Sequence, residues 1–399
     1  MLSEQSAATV RATLPAIGAS LAEITERFYA GLFAARPELL RDLFNRGNQA
    51  AGTQRQALAG SIAAFATHLV DHPEERPDAM LGRIAHKHAS LGVTAEQYAL
   101  VHEHLFAAIA DVLGEAVTPE VAAAWDEVYW LMANALIAIE KRLYDEHGGG
   151  EWQEWEVVGR VEETADVATF RLRPADGRPA PGFRAGQYVS VQVELPDGAR
   201  QIRQYSLSAA PGSPVRQISV KRVLGGTAPD GTAPDGEVSN HLHARVRVGD
   251  RLRLSAPYGD LVLAGTEAPL LFVSAGIGVT PMVAMLGELA DAGHEGRVIV
   301  VHGDRSPAAH ALRADHEAYA EKLQGASAHF WYETDADAPH RTGLVDLTDI
   351  AVPEGTRAYL CGPLPFMRAV RAQLIGKGVA PADIHYEVFG PDLWLARES

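Results

Sequence analysis

The 399 residues exceed what one compact core holds and suit two or three domains of roughly 100–200 residues each. With 47% hydrophobic and 22% charged residues, the chain reads as folded and not as disordered. Its 35 Lys and Arg against 51 Asp and Glu leave a net charge of -16, which repels phosphate backbones and anionic membrane surfaces and so excludes nucleic acid as a partner.

The N-terminus, MLSEQSAATV, has polar and acidic residues where a secretory signal needs a basic start and an apolar run. The only cysteine, Cys361, provides neither a disulfide framework nor a Cys-rich zinc or iron–sulfur site. A reducing compartment, the cytoplasm, is expected.

Residues 1–147 carry alanine-rich, helix-period patterning and end at His147-Gly148-Gly149-Gly150, a domain boundary. On the helix after Pro77, Leu81, Ile84, His88 and Leu91 share one apolar stripe, while His86, about 200° round from His88, faces elsewhere. A histidine on such a stripe is as a rule a hydrogen-bonded core residue, and reading it as a ligand needs further support. Other polar side chains occupy the same position. Gln54 starts a stripe continued by Leu58, Ile62, Phe65 and Leu69, and Glu140 follows Trp125, Tyr129, Met132 and Leu136 on the last helix. Tyr29 lies beside Phe28, Leu32 and Phe33, and Tyr98 shares a face with Val101, Leu105 and Ile109. Together they form a polar constellation in a helical core, the pattern of a cofactor or catalytic site.

From Trp152 to about 263 the pattern turns to six short alternating runs, EWEVVGRVEET, ATFRLRP, GQYVSVQVEL, RQYSLS, RQISVKRV and DRLRLSAP, which predict an antiparallel β-barrel over 151–263. Tyr188 in GQY and Arg203, Tyr205 and Ser206 in RQYSLS supply aromatic contact, a cation and a hydroxyl, which are what a flavin ring and its pyrophosphate require. A Gly-rich turn with Val238-Ser239-Asn240 follows. The duplicated TAPDG of residues 227–236 reads as an exposed hairpin extension.

Over 264–399 strands alternate with helices, PLLFVSAG, VIVVHG, HFWYET, AYLCGP and IHYEVFGP, which predicts an α/β domain with a mainly parallel sheet. The uncharged stretch 268–287 is long enough to span a bilayer, but Gly276, Gly278 and Pro281 break it into strand, turn and helix, so no integral membrane association is expected. The run Gly276-Ile277-Gly278-Val279-Thr280-Pro281 lets backbone amides approach a pyrophosphate, with Pro281 where a dinucleotide fingerprint has its third glycine. Cys361-Gly362-Pro363 is a second strand-end motif, in which Cys361 reads as a small residue closing a strand. After the second strand of this domain, Arg305 and Ser306 suit a 2′-phosphate whereas Asp304 repels one, so NADH and NADPH both remain open.

FYAGLF, RPELLRDLFN, TQRQAL, IAHKHASLGVTAEQY and the helix of Glu140 resemble, in order, the globin domain of flavohaemoglobins. The later motifs resemble a ferredoxin-reductase-type FAD and nicotinamide pair. The resemblance implies a globin fold holding haem b, with His88 as proximal iron ligand, Lys87 tuning its potential, Phe44 and Leu58 against the porphyrin, and Tyr29 and Gln54 on the distal side. Glu140, assisted by Tyr98, is expected to hydrogen-bond the His88 imidazole and raise its donation to iron.

For FAD the resemblance implies Tyr188, Arg203, Gln204, Tyr205 and Ser206, together with the tail Val388-Phe389-Gly390-Pro391, in which Phe389 covers the flavin and Glu387 lies near it. Val388 stands where the family often has cysteine. The implied activity is nitric oxide dioxygenase, using NADH or NADPH, oxygen and nitric oxide in a monomer. An NAD(P)H-dependent reductase of oxygen, ferric iron or lipid hydroperoxides, and a gas carrier or sensor, are the alternatives.

Overall fold

The computed structural model describes residues 2–228, 231–336 and 339–392. The chain divides into two compact units: Met1–Glu151 with the short segments Glu194–Ile202 and Pro391–Ser399, and Trp152–Val193 with Arg203–Gly390.

The first unit is helical, with α1 (Glu4–Ala35), α2 (Pro37–Asp42), α3 (Arg46–Ala50), α4 (Thr53–Asp71), α5 (Asp78–Leu91), α6 (Ala95–Leu113) and α7 (Pro119–Glu146). The longest, α1, starts at Ser3, whose side chain accepts from the Ser6 amide, and continues through Pro15 on its exposed side. It buries Val10, Ile17, Leu21, Ile24, Phe28 and Leu32 against α4, α6 and α7. Two caps orient the helices that carry the polar constellation. Gly92 ends α5 at φ +77°, a left-handed cap that costs glycine little. A reciprocal capping box of Thr94 and Gln97 then starts α6.

The strands from Gln153 onward form two main sheets. The first is built from β1 (Gln153–Glu162), β2 (Val167–Pro174), β3 (Tyr188–Glu194), β4 (Arg200–Ser206) and β5 (Arg216–Lys221). After the short β6 (Gly226–Ala228), β7 (Gly231–Ala233) and α8 (Glu237–Arg245), β8 (Arg251–Leu254) completes it in the order β4-β3-β8-β1-β2-β5. The pairs β1–β2, β1–β8, β2–β5 and β3–β8 are antiparallel. An antiparallel bridge between Leu207 and Ile218 joins the two outer strands, so the sheet closes as a barrel over Trp155, Val157, Phe170, Leu172, Val189 and Val191.

All six alternating runs of the sequence are strands of this barrel. Val238-Ser239-Asn240, expected in a turn, instead forms the first turn of α8, where the Ser239 hydroxyl accepts from the Val223 amide at 3.1 Å. The TAPDG duplication carries β6 and β7, which pair antiparallel. Its Pro229 and Asp230 lie outside the described residues.

The second sheet takes β9 (Leu270–Ala275), β10 (Val298–Asp304), β11 (Ala326–Tyr332), β12 (Arg341–Thr342), β13 (Arg357–Cys361) and β14 (Ile384–Glu387) in the parallel order β12-β11-β10-β9-β13-β14. Helices α9 (Val279–Asp291), α10 (Arg313–Lys322) and α11 (Leu364–Gly376) alternate with these strands. The two-residue β12 escaped the sequence reading because it is too short to show alternation. Leu270, Leu271, Phe272 and Val273 are all fully buried, as a central strand covered on both faces requires. The uncharged stretch 268–287 is therefore strand, turn and core helix. Among the described residues no helix is long and apolar enough to cross a membrane.

Candidate haem, flavin and nicotinamide sites

In the helical unit, His88 on α5, Tyr98 on α6 and Glu140 on α7 meet. The His88 Nδ1 lies 2.9 Å from Glu140 Oε1 and 2.9 Å from the Tyr98 hydroxyl, and that hydroxyl donates to the same Oε1 at 2.5 Å. Glu140 is 3% exposed, so its carboxylate is desolvated and holds two donors at one oxygen. A carboxylate accepts only, which fixes the imidazole as the Nδ1–H tautomer and leaves the Nε2 lone pair free for a metal. His88 Nε2 makes no hydrogen bond among the described residues. The Tyr129 hydroxyl donates to the Tyr98 carbonyl at 2.6 Å, and that of Tyr144 to the Val93 carbonyl at 2.7 Å, which ties α7 to the α5–α6 connection. Burial first, and then the Glu140 charge, pushes the Tyr98 phenol far up, so it remains a donor.

Tyr29 on α1 is 5% exposed and packs against Phe28, Phe33 and Phe44 at centroid distances of 4.7, 5.5 and 5.8 Å. Burial pushes its hydroxyl well above the ordinary range, against the opposing hydrogen-bonding influence of Gln54 and Gln49. The structure thus brings Tyr29, Gln54 and Phe44 together. Gln49 adds an amide that sequence reasoning missed, because α3 has five residues and no readable period. Leu58, Ile62, Phe33, Phe44, Ile84 and Leu91 are each only partly buried. These apolar side chains from several helices are what a flat, greasy group would cover, and with His88 Nε2 they fit haem. Lys87 sits beside His88 on α5 and is half-buried.

In the barrel, strand alternation puts Arg203 and Tyr205 on one face of β4 and Gln204 and Ser206 on the other. Arg203 and Tyr205 are half-buried. Burial raises the Tyr205 phenol, against the Arg203 charge, so it remains neutral. Gln204 donates to the Ser190 hydroxyl at 2.9 Å. Tyr188, 6% exposed, exchanges backbone hydrogen bonds with Tyr258. The Ser206 hydroxyl is buried without a partner, an unmet polar group of the kind a bound cofactor completes. With the Arg203 cation and two tyrosine rings, the set fits a flavin dinucleotide.

In the parallel sheet the strand order reverses between β9 and β13, the point at which ligands bind in open α/β sheets. Both glycine motifs stand there. Gly276, Ile277 and Gly278 form a tight 3-10 turn, Gly276 at φ +52°, and Val279 opens α9. A Cβ on Gly278 would lie 2.3 Å from the Cys361 carbonyl oxygen, so Gly278 is needed for backbone packing as well as for any approach to phosphate. Pro281 occupies the third helical position, where the missing N–H costs no intrahelical bond. Thr280 caps the turn by donating to the Ile277 carbonyl at 3.0 Å.

Cys361 is fully buried and pairs in register with Ser274 and with Glu387. Desolvation, then the Glu387 charge, holds its thiol protonated, which matches a small strand-closing residue. Beyond β14, Val388 is half-buried, Phe389 is 46% exposed, and Gly390 takes φ +130° before Pro391. At the end of β10, the Arg305 guanidinium donates to Asp166 at 3.1 Å, and Asp304 accepts from the Arg305 amide at 2.7 Å.

Residues 26–136 match the Globin family, residues 154–263 the oxidoreductase FAD-binding domain and residues 272–372 the oxidoreductase NAD-binding domain. The chain is 43% identical to a flavohemoprotein of Chromobacterium violaceum over 98% of both chains, and 41% identical to one from Rhizobium meliloti over 99% of this chain and all of that one. Among solved structures it is similar to a flavohemoglobin of Malassezia yamatoensis with bound FAD and heme (TM-score 0.87, 37% identity, 98% of this chain and 100% of that one). It also resembles the FAD/NAD-binding domain of a nitric oxide dioxygenase from Vibrio cholerae (TM-score 0.55, 36% identity, 60% of this chain and 99% of that one).

Proposed function

Because the chain belongs to the flavohemoprotein family, we propose that it is a nitric oxide dioxygenase in which electrons pass from NAD(P)H through FAD to haem b. Overall, two nitric oxide and two oxygen molecules and one NAD(P)H give two nitrates, NAD(P)+ and one proton. The observation that carries this reading is the His88–Glu140–Tyr98 unit, an imidazole held through Nδ1 with Nε2 left for a metal, in a chain that also has both reductase domains. A carrier needs no such electron supply. Haem at His88 supplies a one-electron centre that takes up oxygen, and FAD, which accepts hydride and releases electrons singly, matches it to the nicotinamide.

His88 would hold the haem iron through Nε2, while Glu140 accepts a hydrogen bond from its Nδ1–H, which would strengthen donation to the metal. Tyr98 donates to the same carboxylate and keeps it aligned. Tyr29, held neutral, would offer an O–H donor to a bound oxygen ligand, and Gln54 supports that hydroxyl. Phe44 and Leu58 would pack on the porphyrin, and Lys87, next to His88 on α5, would tune its potential.

Tyr188, Arg203, Gln204, Tyr205, Ser206 and the 388–391 tail would hold FAD, with Phe389 to cover its ring and Glu387 to tune it. The turn 276–281 and Cys361-Gly362-Pro363 receive the nicotinamide dinucleotide. The three domains span 1–147, 151–263 and 264–399, in a monomer of the cytoplasm. Purified holoprotein supplied with NADH and oxygen consumes nitric oxide and yields an equal amount of nitrate. NADH oxidation that nitric oxide leaves unchanged overturns the proposal in favour of a general reductase.

A further inference from the structure

Three histidines that the electron path does not use converge in the α/β domain. His302 lies near the end of β10, His310 follows a 3-10 turn, and His316 is on α10; their exposures are 0%, 3% and 0%. One ring nitrogen of each lies within 4.8 Å of the others. The His302 and His310 rings stack at 3.9 Å, and His310 Nε2 stands 3.1 Å from His316 Nδ1.

The outer nitrogens are held by hydroxyls, His302 Nδ1 by Ser274 at 2.8 Å and His310 Nδ1 by Tyr332 at 3.0 Å. That is how orienting groups grip the rings of metal-binding histidines. His302 Nε2 is buried and has no hydrogen-bond partner, which leaves it as that ring's ligand atom. The Asp304 carboxylate lies 3.6 Å from His302 Nε2. Between His310 and His316, Leu312 adopts φ +54°, a conformation that non-glycine residues take up only when their surroundings impose it.

We propose that His302, His310 and His316 bind a zinc-class divalent cation, with the Asp304 carboxylate as the nearest candidate for a fourth ligand. Zinc takes imidazole nitrogens at about 2.0–2.1 Å, which in a tetrahedron stand roughly 3.4 Å apart. His310 Nε2 and His316 Nδ1 are hydrogen-bonded at 3.1 Å, a contact the cation replaces, and the third nitrogen, within 4.8 Å, joins when the His302 ring turns out of its stack on His310. Burial pushes all three imidazoles down, so they are neutral and offer lone pairs at ordinary pH. Arg313, the cation on the same helix, is engaged by Glu317 at 2.8 Å and by His340 at 3.1 Å. A closed, dry site of this kind is structural, and it clips β10 to α10.

The test uses full-length holoprotein from zinc-supplemented cells, purified without chelators or metal resin. Zinc is measured against haem iron and flavin, and its environment is read by X-ray absorption at the zinc edge. One zinc per chain with imidazole scattering is expected, falling at least tenfold in His316→Gln but not in His68→Gln at the partly exposed His68–His72 pair. Flavin and haem contents report whether each variant folds, and the wild-type absorption spectrum stands independently of them. Three results overturn the proposal: zinc below a tenth of an equivalent, zinc without imidazole scattering, or zinc retained by a folded His316→Gln chain.

Discussion

Replacing Glu140 with Gln keeps the side-chain volume but turns a buried anionic acceptor into a neutral one. The Oε1 that accepts from His88 Nδ1 and Tyr98 becomes an amide oxygen, and the electron push through the imidazole weakens. A hydrogen bond to a charged group contributes about 1.5–3 kcal/mol and a neutral one about 1 kcal/mol, so the exchange removes about 0.5–2 kcal/mol. That loss falls on the oxidised, more cationic iron, which the carboxylate stabilises most. At 1.36 kcal/mol and 59 mV per tenfold for one electron, the ferric/ferrous potential rises by about 20–90 mV. Spectroelectrochemical titration of Glu140→Gln holoprotein with full haem content measures this directly. A potential within about 10 mV of the wild type, or below it, refutes the account of Glu140 as an electronic support.

Replacing His88 with Ala should abolish haem retention while NADH still reduces the flavin, and His86→Ala should keep its haem; the opposite pattern in pigment content defeats the stripe assignment. Fold stability should decline from about pH 8.5, where the Cys361 thiol ionises once unfolded, and more steeply above about pH 10, because burial raises Tyr258 to about 12 and Tyr29 and Tyr98 further, whereas these phenols ionise near 10 once unfolded. The native state keeps protons that the unfolded chain has lost, so stability falls as pH rises through that window; a denaturant midpoint unchanged between about pH 10 and 12 contradicts this. Asp166→Asn should free Arg305 and raise the NADPH-to-NADH ratio of kcat/KM by up to about fivefold, since an exposed ion pair holds no more than about 1 kcal/mol. An unchanged ratio in steady-state assays shows that Arg305 does not meet the 2′-phosphate.

The meeting of His88, Tyr98 and Glu140 was legible because they lie on long amphipathic helices, where each polar side chain interrupts a regular apolar stripe. Every strand of the barrel could be read for the same reason, period-two alternation. Gln49 was not legible on the five-residue α3, and neither was the helical first turn at Val238. The packing of Gly278 on the Cys361 carbonyl is set by the strand order, which no local pattern encodes. The three buried histidines come from a strand, a loop and a helix, so only the tertiary fold brings them into one cluster.

The carboxylate of Glu140 has a consequence for packing. Because its two donors come from the two preceding helices, one oxygen cross-braces α5, α6 and α7. The imidazole is positioned by the same contacts that pack the three helices, so a substitution that shifts any one of them moves the ring with it.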